Sequence, residues 1–120
     1  MGSRFTELAV DCVDPARVAA FWSAVLERPA VPDEHDPPQV WEVAPTEGPS
    51  LVFVAVPEPK TVKDRLHIDL NPVGCEQAEE VERLLALGAV RVDVGQGDVR
   101  WAVLADVEGN EFCVLRTRRE

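Results

Sequence analysis

The second half of this chain repeats the pattern of the first. A strand-like run at Glu7–Cys12 precedes an amphipathic helix pattern from Pro15 to Glu27 and two further apolar runs. Arg65–Leu70 opens the same succession again, with a helix pattern from Glu76 to Leu87 and more apolar runs. A period of roughly 58 residues, seen twice, is not a solenoid, which needs three or more short repeats. It predicts two similar modules that complete one another, with any ligand site on their shared face.

Local patterns support this reading. From Phe5 to Cys12 polar and apolar residues alternate, placing Leu8, Val10 and Cys12 on one face and Glu7, Ala9 and Asp11 on the other. Asp14-Pro15 reads as an N-cap followed by proline at the first helical position. Val18, Phe21, Trp22, Val25 and Leu26 form one helical stripe, which makes Trp22 a core residue. Arg28 is expected in the last turn, before Pro29 ends the helix. Residues 29–38 hold four prolines, so any strand there must be short and His35 reads as a solvated loop residue. Gln39–Ala44 and Leu51–Val56 read as strands, the second covered on both faces because it is continuously apolar.

In the second half, Arg65–Asn71 reads as a strand with Leu66, Ile68 and Leu70 on one face and His67, Asp69 and Asn71 on the other. Ala78, Val81, Leu84 and Leu85 form the buried stripe of the next helix, Glu79 and Arg83 an i,i+4 pair, and Gly88 its C′ position. Val90, Val92 and Val94 alternate with polar residues, and a turn at 95–98 follows. Trp101–Ala105 and Glu111–Leu115 complete the order β-α-β-β-β twice.

Composition narrows the function. The chain of 120 residues is 46% hydrophobic, enough for the core of one ordinary domain. Its formal charge of -10 argues against nucleic acid and against anionic membranes, both of which call for Lys and Arg. Arg116, Arg118 and Arg119 read as a solvated tail. No apolar run approaches the ~20 residues of a membrane span, and the N-terminus lacks a signal-peptide pattern. Three cysteines without C-x-x-C spacing fit a reducing cytoplasm rather than a disulfide framework, and Cys12 reads as packing.

Several segments together resemble the vicinal oxygen chelate superfamily, the glyoxalase and bleomycin-resistance fold, and its small single-domain glyoxalase-like members. They are Val13-Asp14-Pro15 leading into Ala20-Phe21-Trp22, residues 56–60, the Lys63–Leu70 run with its Arg-x-His-x-Asp, Leu87-Gly88-Ala89, and Ala105–Leu115. The resemblance covers nearly the whole chain. It implies an α+β fold in one domain, residues 1–120, with module one at about 4–57 and module two at about 64–116. The two paired β-α-β-β-β modules would form a curved-sheet cleft. A homodimer is also implied.

In metal-using members each module gives two ligands, one near the start of its first strand and one in its last. Carried over, these positions fall on Glu7, His67, Val54 and Cys113. Val54 has no donor, and Cys113 would be a soft thiolate where the family has a hard carboxylate, which shifts preference toward zinc. Glu111 shares strand parity with Cys113 and is the substitute, so Glu7, His67 and Glu111 are the metal candidates. The set is a poor metal site, and the sequence identifies no cofactor.

His67, Asp69 and Glu7 are the sharpest functional candidates, because polar residues on the face of a sheet away from its helix need water, partners or a ligand. In a functional reading His67 is a general base and Asp69 orients it. In a structural one Glu7, Arg65, His67 and Asp69 satisfy one another. Trp41 and Trp101 are either core or the walls of an apolar site containing Val54. The expected function is a cytoplasmic small-molecule-binding protein of the glyoxalase-like type, anchoring its ligand through Glu7, Trp41, Val54, Trp101, Glu111 and Cys113. Alternatives are a metal-dependent lyase, isomerase or dioxygenase and a drug-sequestering resistance protein. Whether the chain is an enzyme is left open at this stage.

Overall fold

The computed structural model describes residues 1–93 and 100–120; Val94 and the expected turn at 95–98 lie outside the described residues. The chain divides into two compact units, residues 1–59 and 60–120.

The first unit runs β1 (Glu7–Cys12), α1 (Pro15–Leu26), β2 (Ala30–Pro32), β3 (Val40–Val43) and β4 (Ser50–Ala55). Its sheet has the order β1-β4-β3-β2, with β1 parallel to β4 and the other pairs antiparallel. Asp14 caps α1 by accepting from the Arg17 amide, and Pro15 occupies the first turn. Val18, Phe21, Trp22 and Val25 are buried with Val43, Leu51 and Phe53 of the sheet, and Phe21 and Trp22 meet edge to face.

Two details differ from the sequence reading here. α1 stops at Leu26, Glu27 takes a left-handed conformation, and Arg28 leaves the helix to donate from Nε to the Ala44 carbonyl. In β4, Leu51 and Phe53 are buried while Val52 and Val54 are half-buried, so helix α1 covers one face and the second is only partly covered. The short strand β2 fits the proline-rich stretch, and His35 is exposed against Asp33.

The second unit runs β5 (Ile68–Leu70), α2 (Gln77–Ala86), β6 (Val90–Arg91), β7 (Ala102–Ala105) and β8 (Glu111–Val114). Its sheet order, β5-β8-β7-β6, reproduces that of the first unit, again with the first strand parallel to the last. The fold is therefore mixed α+β, with β-α-β-β-β twice. Phe112, Val114 and Leu104 are fully buried together with Val81 and Leu84 of α2. Asp106 is itself buried and accepts from the amides of Glu108 and Asn110, which fixes the turn between β7 and β8.

Three expectations are corrected in this unit. The strand predicted over Arg65–Asn71 shrinks to Ile68–Leu70, and Leu66 is 78% exposed, because the chain before it is held by side-chain contacts rather than by a ladder. Ala78 is exposed and Leu85 only half-buried, so the buried stripe of α2 narrows to Val81 and Leu84. Arg83 also pairs with Glu80, through Nε at 2.8 Å and a second nitrogen at 2.9 Å. The basic C-terminus is not a free tail. Arg119 exchanges backbone bonds with Pro72 and Gly74, Asn71 donates to the Thr117 carbonyl, and Arg118 pairs with Glu76.

Candidate functional site

Register decides which side chains meet. In the second unit Asp69 lies opposite Cys113 and Cys113 opposite Val103, so the three share one row across β5, β8 and β7. Strand alternation sends Ile68, Phe112 and Leu104 to the other face, which is the buried side facing α2. His67 precedes β5 and lies two residues before Asp69, which brings its ring to the same row.

The result is a tight group. His67 Nδ1 is 3.1 Å from Asp69 Oδ1 and 3.9 Å from Cys113 Sγ. The donor atoms of His67, Asp69 and Cys113 all lie within 4.8 Å of one another. The His67 and Asp69 side chains are 47% and 46% exposed, whereas Cys113 is buried. A carboxylate only accepts, so the contact favours the imidazole tautomer with its proton on Nδ1, in which Nε2 is an acceptor. Burial pushes the Cys113 thiol above its ordinary pKa, and the adjacent Asp69 charge and hydrogen bond add to that rise.

Glu111 lies on the same face, opposite Ala105, but both of its oxygens are engaged. Lys60 Nζ donates to Oε1 at 3.0 Å and the Asp64 amide donates to Oε2 at 3.2 Å. Burial pushes the Glu111 pKa up, yet these donors outweigh it and hold the carboxyl below its ordinary value. Asp64 moves the other way, raised by burial and by the charge of Glu111. Residues 60–64 are thus pinned to β8. Lys60 has no local signature of this role, since its partner is 51 residues away in sequence.

The remaining candidates are placed as follows. Glu7 and Val54 belong to the first unit and share one face of its sheet, Glu7 exposed and Val54 half-buried. Trp41 lies on the opposite face from Val54, in register with Phe53, and so belongs to the α1-facing side. Its indole Nε1 is the one buried side-chain polar atom without a partner among the described residues. Trp101 stands just before β7 and is 43% exposed.

As a metal centre, the donor types decide the fit. His67, Asp69 and Cys113 offer one nitrogen, one oxygen and one sulfur, a set suited to a borderline-soft ion and not to a hard one. Glu111 accepts from Lys60 and the Asp64 amide and is not among the donors that converge there.

Comparison with known proteins places this geometry. No curated protein matches the sequence. Among solved structures, the fosfomycin resistance protein FosX from Mesorhizobium loti superposes with a TM-score of 0.72 at 15% identity, over 96% of this chain and 92% of that one. A FosX mutant from Listeria monocytogenes, complexed with Mn(II) and 1S,2S-dihydroxypropylphosphonic acid, gives 0.65 at 14% identity, over 96% and 90%. TnmS3, an antibiotic binding protein from Streptomyces sp. CB03234, gives 0.62 at 17% identity, over 98% and 97%. At these identities the likeness is one of fold. The family model described as the glyoxalase-like domain matches residues 7–115, and with it the chain belongs to the glyoxalase-like domain family.

Proposed function

We propose that this protein binds a small organic molecule at the His67–Asp69 pair, in the manner of the glyoxalase-like family. The observation that carries the reading is the 3.1 Å contact between the two half-exposed side chains, which leaves His67 Nε2 free to accept from a ligand. Asp69 fixes the ring, so the acceptor is held in place before a ligand arrives, which lowers the ordering cost of binding. An antibiotic-binding protein among the structural neighbours is in keeping with this class.

The reading includes a cytoplasmic location, in keeping with three cysteines that form no disulfide. It also includes a homodimer, in keeping with the exposed apolar side chains Phe5 and Val62. Among the described residues no helix is long and apolar enough to cross a membrane. A second reading, a metal-dependent enzyme of the superfamily, is favoured by the convergence of three donor atoms at the same place.

The test is a panel of aromatic and amphiphilic small molecules, including antibiotics, titrated calorimetrically into the wild type and into His67→Ala and Asp69→Asn. Hits should lose about tenfold or more in affinity in both variants, equivalent to ~1.4 kcal/mol. Mass spectrometry of the recovered ligand separates the two readings: an unmodified ligand means binding, a converted one means catalysis. Undiminished affinity in both variants would refute the assignment.

A further inference from the structure

We infer that His67, Asp69 and Cys113 form a three-ligand zinc site contained within the second unit, with its fourth position open. The inference rests on the same row of residues as the proposed ligand site and places an ion there; with zinc on Nδ1, a ligand meets the open zinc position and the Nε2 proton rather than an Nε2 acceptor. The superfamily resemblance implies ligands from both modules; here Val54 supplies none, and Glu111, which accepts from Lys60 and the Asp64 amide, is not one of the converging donors. Asp69, which that arrangement does not use, supplies the missing oxygen from the strand next to Cys113.

Geometry supports the assignment. Zinc bonds of about 2.0–2.1 Å to nitrogen, 2.0–2.2 Å to oxygen and 2.3 Å to sulfur, arranged tetrahedrally, separate nitrogen from oxygen by about 3.3 Å and nitrogen from sulfur by about 3.6 Å. The observed separations are 3.1 Å and 3.9 Å. These two pairs need adjustments of a few tenths of an ångström, and the Asp69 oxygen and Cys113 sulfur, within 4.8 Å of each other, must close to about 3.6 Å. The ring would ligate through Nδ1 and carry its proton on Nε2. The His67 and Asp69 side chains are each nearly half exposed, and the sulfur is buried. Thiolate with imidazole selects zinc over manganese or magnesium, which favour all-oxygen or oxygen-rich shells. Three protein ligands leave one position for water or a ligand donor, the pattern of reactive rather than structural zinc.

The experiment uses the full chain stripped of metal and titrated calorimetrically with zinc chloride and, separately, manganese chloride. Cobalt(II) serves as a spectroscopic probe of sulfur ligation. The expected result is one equivalent of zinc, no manganese uptake, and a sulfur-to-cobalt charge-transfer band that disappears in Cys113→Ser. Cys113→Ser and Asp69→Asn should each weaken zinc by on the order of 100-fold, at or beyond the ~10–100-fold typical of supporting groups. Both are near-isosteric, and circular dichroism checks their folding. Cys75→Ser, at a half-buried thiol elsewhere in the unit, should leave uptake and band unchanged. Absence of zinc uptake, manganese binding as tight as zinc, or a band surviving in Cys113→Ser overturns the inference. Ligand binding by the metal-free chain without zinc uptake would overturn it while leaving the small-molecule reading standing.

Discussion

Asp69 and Cys113 are register partners in the parallel pairing of β5 and β8, and the donor atoms of their side chains lie within 4.8 Å of each other. Asp69 thus stands beside both the thiol and the His67 ring, and burial first, then the Asp69 charge, raises the thiol pKa.

The first prediction concerns that thiol. Burial raises its pKa, and the Asp69 charge and hydrogen bond raise it further, so little thiolate is present at pH 8. Alkylation of Cys113 by iodoacetamide, followed by peptide mass spectrometry, should be slow. Asp69→Asn removes the charge, lowers the thiol pKa and should speed alkylation at this site several-fold. Cys75, raised chiefly by burial and by Glu80 and Glu79, should not respond. An unchanged Cys113 rate would show that burial alone controls it.

A second prediction follows from the opposed shifts of Glu111 and Asp64. Glu111 is held below its ordinary 4.5, so its contribution to stability is present above that value and fades as pH falls through the lowered one. Asp64 is held above its ordinary 3.8, so its ionisation in the folded state costs stability once pH rises past the raised value. Asp64→Asn should therefore stabilise the protein at pH 7, by a few tenths of a kcal/mol once solvent screening is counted. The gain in urea midpoint should shrink at pH 4. Lys60→Met should act in the opposite sense, leaving a largely buried carboxylate short of its ammonium, at a cost of about 1–3 kcal/mol. A destabilised Asp64→Asn protein at pH 7 would contradict this account.

The third prediction compares two glycines. Gly88, at the C-terminal end of α2, has φ +116, and a Cβ there would lie 3.3 Å from Val107 Cγ1. Gly48 has φ +95 but open space around it. Gly48→Ala should cost about 1 kcal/mol from backbone strain alone, and Gly88→Ala more, up to about 3 kcal/mol. Urea denaturation of the two variants measures the difference, and equal losses would mean that Val107 yields freely.

Much of the fold is legible in the chain because its signals are local. Alternation in β1, the Asp14-Pro15 start of α1, the stripe through Phe21 and Trp22, and Gly88 after α2 each depend on neighbours a few residues apart. The duplication then gives the element order twice, which the sheets follow strand for strand. The acidic balance argued against nucleic acid before any fold was known.

What only the tertiary structure decided are matters of register and long-range pairing. His67 and Asp69 were visible as candidates, but their joining with Cys113 depends on β5 pairing with β8, 44 residues on, in one register and not the next. A slip of one residue would have faced Cys113 toward α2 and Phe112 toward the site. Alternation likewise put Trp41 and Val54 on opposite faces, a question the sequence had left open. The capture of Glu111 by Lys60 and the Asp64 amide, and the tethering of the basic C-terminus to 72–74, join segments with no local signal in common. Periodicity specifies which side of an element is apolar; only packing specifies which polar side chains become neighbours.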